Sequence, residues 1–190
     1  MSYGNSSEEG FTGLEAAIVL IAFVVVASVF AFVVLGAGFF TTQKAQETVY
    51  RGIEQSTTNV QLVGNVYGLA SNPTEGIDQI RFSIGLVPGT SGINLEKMTI
   101  VVSTPTFSPK ILAWTNESHS TKDTNFIALK DGIGNPQSAM TSGDQMEIQL
   151  NITAVPKDTR INFEIRPGLG ATYAFSKTTP SIISANNLIY

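Results

Sequence analysis

The sequence predicts an α+β chain in which one long hydrophobic helix precedes an all-β domain. Two observations carry this prediction. An uncharged stretch without proline runs from Ala16 to Phe40, and Ser28 is its one polar side chain. From about Val66 onward, the spacing of apolar residues changes from three or four positions to two, which is the period of a β-strand.

The apolar stretch is long enough to cross a membrane. At about 1.5 Å per residue, a helix over Ala16–Phe40 exceeds the roughly 30 Å hydrocarbon core of a bilayer. A secretory signal differs, because its apolar region is about 7–15 residues long and follows a basic segment. Here Met1–Gly10 contains neither Lys nor Arg. Hydropathy alone leaves open a single-pass anchor that holds an outer domain.

The helical spacing continues beyond the apolar stretch. Apolar or small residues recur every three or four positions, at Ala45, Val49, Ile53, Val60 and Val63. This spacing marks one face of a helix, and Gly64 with Asn65 forms a stop signal. A helix from about Thr12 to about Val63 would be roughly 75–80 Å long at about 1.5 Å per residue. Its outer half therefore needs protein to pack against, either its own domain or other copies of the chain.

The rest of the chain reads as short strands separated by turns. The predicted strands are Ile77–Leu86, Met98–Ser103, Lys110–Trp114, Met146–Ala154, a segment around Ile161, Phe163 and Ile165, and Ala171–Phe175. In Met146–Ala154 the apolar residues, including Ala154, alternate with polar residues, including Asn151. Strands of this length, separated by turns rich in Pro, Gly, Asn and Asp, predict a β-sandwich or barrel. The join with the helix is expected near Gly64–Asn72.

Composition argues against several classes of function. The formal net charge is −4 and no basic patch stands out, so we expect no nucleic-acid partner. The chain has no Cys, which excludes disulfides, thiol nucleophiles and Cys-based metal sites. Its one histidine, His119, lies in a polar loop and is predicted to be solvated. We therefore predict no enzyme, no catalytic residue, no cofactor and no metal site. Packing in a strand core and stacking on a ligand both remain open for Trp114.

Two sequons make Asn116 and Asn151 candidates for N-glycosylation, provided that the domain is extracellular. They are Asn116-Glu117-Ser118 and Asn151-Ile152-Thr153. Asn116 lies in a polar loop, and Asn151 lies on the outward face of its predicted strand. The positive-inside rule conflicts with this location, since Lys44 and Arg51 follow the apolar stretch and would keep the domain in the cytoplasm.

Glu15 lies at the start of the apolar stretch and needs a role. A carboxylate at the edge of the hydrocarbon is costly unless it is paired. In one interpretation Glu15 reaches back to the lipid headgroups. In the other, cleavage between Gly10 and Phe11 gives Phe11 a free α-amine, which neutralises Glu15 in the same or an adjacent subunit.

The segment from Gly10 to Glu15, where the apolar stretch begins, resembles the corresponding segment of a known protein family. Gly10-Phe11-Thr12-Gly13-Leu14-Glu15 is similar to the class III signal junction of type IV pilin-like proteins, with Gly before the scissile bond, Phe after it and Glu at the fifth mature position. Ala16–Ala27 and Gly36–Glu47 resemble archaeal flagellins (archaellins), as does the end of the chain from Thr178 to Tyr190. The resemblance is specific over about Gly10–Arg51 and at the C-terminus.

The resemblance implies three regions. Residues 1–10 would be a leader removed by a prepilin peptidase, residues 11–64 a helix for the filament core, and residues 65–190 an outer, immunoglobulin-like β-sandwich. Gly10 and Phe11 would form the cleavage site, and Phe11 and Glu15 would act in assembly.

The resemblance also implies a function. The precursor would wait in the cell membrane until archaellum machinery assembles it, with itself or with paralogous archaellins, into an extracellular filament for swimming. Two alternatives stay open: an adhesive archaeal type IV pilin, and a membrane-anchored ectodomain that binds a ligand.

Overall fold

The computed structural model describes residues 6–57, 59–88 and 92–190, except the side chains of residues 6–11 and 54–57. The chain divides into two compact units, Met1–Tyr50 and Arg51–Tyr190. Its helix is α1 (Ser6–Thr57). The strands are β1 (Val60–Leu69), β2 (Ile77–Leu86), β3 (Ile93–Asn94), β4 (Thr99–Thr104), β5 (Phe107–Trp114), β6 (Asn125–Lys130), β7 (Ala139–Met140), β8 (Gln145–Val155), β9 (Arg160–Arg166), β10 (Tyr173–Thr178) and β11 (Asn186–Ile189), and a short 3₁₀ helix spans Leu95–Lys97. The predicted α+β class is confirmed.

The predicted end of the helix at Val63 is wrong. α1 ends at Thr57, and the boundary expected between residues 64 and 65 falls inside β1. Val60 is 3% exposed and pairs with Leu86 of β2, so tertiary pairing outweighs the helical spacing of the sequence. At the start of this strand, the Asn59 carbonyl accepts a hydrogen bond from the Val87 amide at 3.1 Å.

β1 contains a β-bulge after Val63. Gly64 and Asn65 lie between the Val63–Ser83 pair and the Val66–Phe82 pair, and no β2 residue is opposite them. Gly64 has φ of 76°, a left-handed conformation that glycine adopts without a steric penalty. Val60 and Val63 both precede the bulge, so their three-residue spacing, which imitates one turn of a helix, occurs in regularly paired strand.

Nine strands form one sheet in the order β10-β9-β4-β5-β6-β8-β2-β1-β11. The sheet folds over, because Phe82 of β2 meets Phe163 of β9 and Phe175 of β10 with ring centroids 5.7 and 5.6 Å apart. Its two ends also meet: the Thr178 and Tyr190 amides donate to each other's carbonyls at 2.7 and 3.2 Å. The β-domain is therefore sandwich-like, with the edges β10 and β11 joined at this point.

The core lies between the facing halves of this sheet. Its largest fully buried side chains include Phe82, Phe126, Phe163, Ile77, Ile80, Ile84, Leu95, Met98, Ile100 and Leu112. The apolar residues predicted to face inward in β8 are buried from Met146 to Ile152, although Gln149 on the other face is also buried, at 9% exposed; the expected inward position of Ala154 is wrong. Ala154 is half-buried and Val155 is buried, because the β2–β8 register shifts between the Ile77–Val155 and Gln79–Asn151 pairs.

The last strand is held by a buried amide. Asn187 is 7% exposed, and its side-chain amide donates to the carbonyls of Gly68 at 3.2 Å and of Ser184 at 2.6 Å. Its amide oxygen accepts from the Ser184 backbone at 2.7 Å. Satisfied buried polar groups of this kind favour one pairing register over others. The register of β11 on β1 is thereby fixed, and with it the residues that the two strands present outward.

Candidate assembly site

Between Ala16 and Phe40, the surface of α1 is apolar on all sides and exposed. From Thr12 to Ile53 every side chain is exposed except the half-buried Glu47. The exposed fraction of its large apolar side chains between Leu14 and Phe40 ranges from 54% at Val25 to 78% at Phe32. The span Thr12–Ile53 is long and apolar enough to cross a membrane, with a mean hydropathy of 3.3 in its most apolar window. A helix that is hydrophobic all round needs apolar surroundings, which lipid or other protein chains can supply.

Four hydroxyl groups of α1 bond to the helix itself. Each donates to a backbone carbonyl three or four residues earlier: Ser28 to Val25 at 2.8 Å, Thr41 to Ala37 at 2.8 Å, Thr42 to Gly38 at 2.9 Å and Thr48 to Lys44 at 2.9 Å. These bonds leave methyl groups and hydrocarbon to face outward. A polar group that is satisfied in this way can enter lipid or a protein core without the penalty of a lost hydrogen bond.

The glycines of α1 have no structural reason within the chain. A Cβ added to Gly13, Gly36, Gly38 or Gly52 would meet no atom within 4 Å. Glycine inside a helix is less stable than alanine by about 1 kcal/mol, so these residues weaken the isolated helix. Small residues do help where helix backbones approach each other in apolar surroundings. Their presence agrees with a helix that packs against other helices.

The predicted cleavage and assembly residues share the first turns of α1. Gly10 and Phe11 are helical, and the side chain of Phe11 lies outside the described part. Glu15 follows four positions later with an exposed side chain. Among the described residues, none donates a hydrogen bond to its carboxylate. The proposed contact between the Phe11 amine and Glu15 therefore stays a prediction. At the other end of the apolar stretch, Lys44 and Glu47 form an ion pair at 2.7 Å.

The two sequons lie in different surroundings. Asn116 is exposed in the β5–β6 loop. Asn151 faces outward from β8 as predicted, but it is half-buried and its amide nitrogen donates to the Ser120 carbonyl at 2.7 Å. That nitrogen is the atom to which a glycan would be joined. The sequon at Asn151 is therefore engaged in the fold, whereas the one at Asn116 is open to solvent.

Asp123 forms further hydrogen bonds between the β5–β6 loop and β8, next to the bond between Asn151 and Ser120. Its carboxylate accepts from the Thr153 amide at 2.8 Å and from the Thr153 hydroxyl at 2.6 Å. Its own amide donates to the Asn151 carbonyl at 2.8 Å, and its backbone has φ of 57°. We call these contacts among Ser120, Asp123, Asn151 and Thr153 the loop clasp. Sequence reasoning missed it, although an Asp in a loop that adopts left-handed φ is a common turn residue.

Other polar residues make local contacts. His119 is exposed beside the Ser118 hydroxyl at 3.1 Å, and the half-buried Trp114 packs on the core while its Nε1 donates to the Gln137 carbonyl at 2.9 Å. The Lys130 ammonium, 2.8 Å from Asp144, and hydrogen bonds from Thr141 hold the pKa of the Asp144 carboxyl well below its usual range. Within residues 6–57, 59–88 and 92–190, no cluster of three His, Asp or Glu side chains is arranged to hold a metal ion.

Comparisons with known proteins match both units. A model of the archaeal-type flagellin family matches residues 10–177. Probable flagellin 1 of Archaeoglobus fulgidus is 38% identical over 191 residues, which cover 94% of each protein. The solved archaeal flagellum of Methanospirillum hungatei strain JF1 is 31% identical, with a TM-score of 0.71 over 94% of this chain and 99% of that one. Flagellin FlaB1 of Methanocaldococcus jannaschii shares the fold at 14% identity and a TM-score of 0.59, over 70% of this chain and 96% of its own.

These matches decide among the alternatives that the sequence left open. They extend from the apolar helix through the β-domain, so they favour a flagellin over an adhesive pilin or a ligand-binding ectodomain. The uncovered apolar surface of α1 agrees with a subunit that is completed by its neighbours. The chain belongs to the archaeal-type flagellin family and is a structural subunit of the archaeal flagellum, not an enzyme.

Proposed function

We propose that the chain is made as a membrane-held precursor, is cut by a prepilin peptidase after Gly10, and is moved by archaellum machinery into the core of an extracellular filament for swimming. The all-round apolar surface of α1 between Ala16 and Phe40 carries this proposal, since the same surface suits lipid before assembly and neighbouring helices afterwards. Lipid tails are about as apolar as leucine, so close packing and not the hydrophobic effect would favour the filament.

Processing would remove residues 1–10 and leave 190 − 10 = 180 residues. The family match begins at residue 10, so the shared sequence starts at the proposed junction. Cleavage there would create the Phe11 amine one helical turn before Glu15. N-terminal sequencing of native filaments tests this step, and we expect Phe11 as the first residue. A first residue of Met1, or of any position other than Phe11, would contradict it.

Glu15 would then set the register between subunits. A carboxylate in an apolar core is tolerated only with a partner, and the new amine supplies one. We expect Glu15→Gln to insert into the membrane and to be cleaved normally, while filament formation falls at least tenfold. Glu8→Gln is the matched control, because that residue would be absent from the filament. Normal filaments from Glu15→Gln would remove this role.

Asn116 is the stronger candidate for a glycan on the outer domain. Its side chain is exposed, whereas the amide of Asn151 is held in the loop clasp. Mass spectrometry of peptides from native filaments tests this difference. We expect modified Asn116, lost in Asn116→Gln, and mostly unmodified Asn151. Full modification at Asn151 would show that the clasp forms only after glycosylation or opens for it.

Motility connects the assembled filament to swimming. A strain that lacks this chain should lose swimming and regain it with the unaltered gene, whereas a Gly10 variant that blocks cleavage should leave the strain immotile. Deletion of paralogous flagellins in the same background excludes compensation. A strain that swims normally without this chain and its paralogues would contradict the motility role.

A further inference from the structure

An exposed apolar patch lies on the outward face of β1 and β11. Tyr67 and Leu188 are directly opposite each other in the antiparallel register. Tyr190 follows Leu188 by two positions and lies on the same side of its strand. These side chains are 51%, 36% and 70% exposed, respectively. Neighbouring positions of β11 that face the core, such as Ile189, are buried, so the alternation of the strand separates this patch from the interior.

Arg81 extends the patch across the sheet. It is the register partner of Tyr67 on β2, and it is half-buried. Its Nη2 donates to the Gln79 side chain at 3.2 Å, while its Nε is buried without a hydrogen-bond partner. In the part of the chain that the structure describes, no carboxylate pairs with this guanidinium. A guanidinium carries five N–H donors, so a carboxylate of another copy can bind Arg81 through nitrogens other than the buried Nε.

We propose that the outer patch, defined as Tyr67, Arg81, Leu188 and Tyr190, docks on the β-domain of a second copy of this chain in the filament. Tyrosine and arginine are the residue types that most often dominate protein interfaces. Arg81 has no carboxylate partner among the described residues, so an exposed carboxylate on the β-domain of another copy is complementary to it. Assembly through α1 would raise the local concentration of β-domains, so that a small patch suffices.

The tip of the β6–β7 loop is the complementary surface. Ile133 is 82% exposed there, and Asp131, two residues before it, has an exposed side chain. Ile182 is equally exposed on another loop, but the nearby Asp158 carboxylate already accepts a hydrogen bond from Ser181. The tip therefore presents the apolar side chain of Ile133 beside the carboxylate of Asp131. This pair is complementary to the apolar side chains of the patch beside the guanidinium of Arg81. Because patch and tip are different surfaces, the contact is heterologous and can repeat from copy to copy along a filament.

Cross-linking tests the docking directly, because the chain contains no Cys. In filaments of the Leu188→Cys/Ile133→Cys variant, mild oxidation should yield a ladder of covalent dimers, trimers and higher species. Either single substitution alone should give no ladder. Leu188→Cys/Ile182→Cys is the matched control, since Ile182 and Ile133 are both 82% exposed. Intact filaments of the first variant without a ladder, or dimers from Leu188→Cys alone, would overturn the proposal.

A double-mutant cycle tests the charge contact independently. Arg81→Gln and Asp131→Asn should each lower the ladder yield at least fivefold, and the double variant should be no worse than either single one. Asparagine tolerates the left-handed backbone of Asp131, whose φ is 52°. Trp114 fluorescence melting shows whether each variant folds. If the double variant lost as much yield as the product of the two single losses, the two residues would act independently. That result would overturn the pairing of Arg81 with Asp131.

This inference rests on the assembly through α1 proposed above. Electron microscopy of the same samples separates the two. A chain that forms no filaments contradicts assembly itself, whereas filaments that form without cross-links contradict only the docking of the β-domains.

Discussion

Phe32 in α1 and Phe82 in β2 carry the same side chain in opposite surroundings. The exposed fraction is 78% for Phe32 and 1% for Phe82. Phe82 contacts Phe163 and Phe175 within the β-domain, while the apolar residues around Phe32 are exposed. The β-domain thus completes its core alone, and α1 leaves its apolar surface for other molecules.

Because the β-domain buries its apolar side chains and α1 exposes them, the β-domain governs folding and α1 governs assembly. Burial of apolar area stabilises the β-domain before any partner arrives. The backbone of α1 is satisfied by its own hydrogen bonds, so the helix persists in lipid or among other helices. Substitutions in the two regions should therefore change different measurements, and a substitution that changed both would break the comparison.

The largest effect on stability is expected from substitution of Phe82, compared with the same substitution at Phe32. Phe82→Ala removes a fully buried ring and should lower the free energy of unfolding of the β-domain by about 3–5 kcal/mol. Fluorescence of Trp114, the one Trp of the chain, reports this transition in the detergent-solubilised full chain. Phe32→Ala should leave that transition unchanged and lower the temperature at which filaments dissociate. If Phe32→Ala shifted the Trp114 transition as much as Phe82→Ala does, the two regions would not be separate.

A charge in the apolar stretch should act on insertion and assembly alone. Arg at the centre of a membrane helix costs about 2.5–3.5 kcal/mol. We expect Val33→Arg to reduce both the membrane-bound precursor and the yield of filaments, with the Trp114 transition preserved. Gln43→Arg is the control, because this exposed polar position follows the apolar stretch. Normal filaments from Val33→Arg would mean that the surface around Val33 faces neither lipid nor the filament core.

The loop clasp gives a smaller effect on the β-domain. Asp123→Ala removes two acceptors for Thr153 and places alanine at a left-handed φ, so we expect a loss of about 1–3 kcal/mol. Asp123→Asn keeps one acceptor and tolerates that backbone, so its loss should be smaller. Denaturant unfolding followed by Trp114 fluorescence measures both. Equal losses from the two variants would show that the clasp depends on the charge of Asp123 and not on its hydrogen bonds or backbone.

The two regions also differed in how far the sequence predicted them. α1 was predicted because a long apolar stretch has few alternative structures, and β2 was predicted from Ile77 to Leu86, as observed. β6 was missed because Phe126–Leu129 is buried on both faces, which removes the alternation of a half-exposed strand. The start of β1 was mistaken for helix because Val60 and Val63 are three positions apart, which imitates one turn of a helix.

Contacts between distant segments limited the prediction of sites. The motif at Gly10–Glu15 is local, so the sequence alone pointed to it. The outer patch depends on the pairing of Tyr67 with Leu188, and no local pattern reveals which strands become neighbours. The outward direction of Asn151 followed from alternation. Its bond to Ser120 did not, because that contact depends on where the β5–β6 loop returns to β8.

The smallest effect concerns pH and the ion pair of Lys130 with Asp144. Because Lys130 and Thr141 hold the pKa of the Asp144 carboxyl below its usual range, the folded chain binds this proton less readily than the unfolded chain. The stabilisation is therefore fully present above the unfolded pKa of about 4 and is lost as pH falls below it. The pair lies at the surface, so salt should weaken it.

Asp144→Asn should remove this dependence. The difference in melting temperature between the unaltered chain and Asp144→Asn should be largest near about pH 6 and should shrink toward about pH 2, as the carboxylate of the unaltered chain takes up its proton. Lys130→Gln should reduce the same difference, because the ammonium is the largest cause of the lowered pKa. Since Lys130 and Asp144 belong to the β-domain and not to α1, filaments at neutral pH should form normally in both variants. A difference in melting temperature that stays constant with pH would place the effect of Asp144→Asn in turn geometry and not in the ion pair.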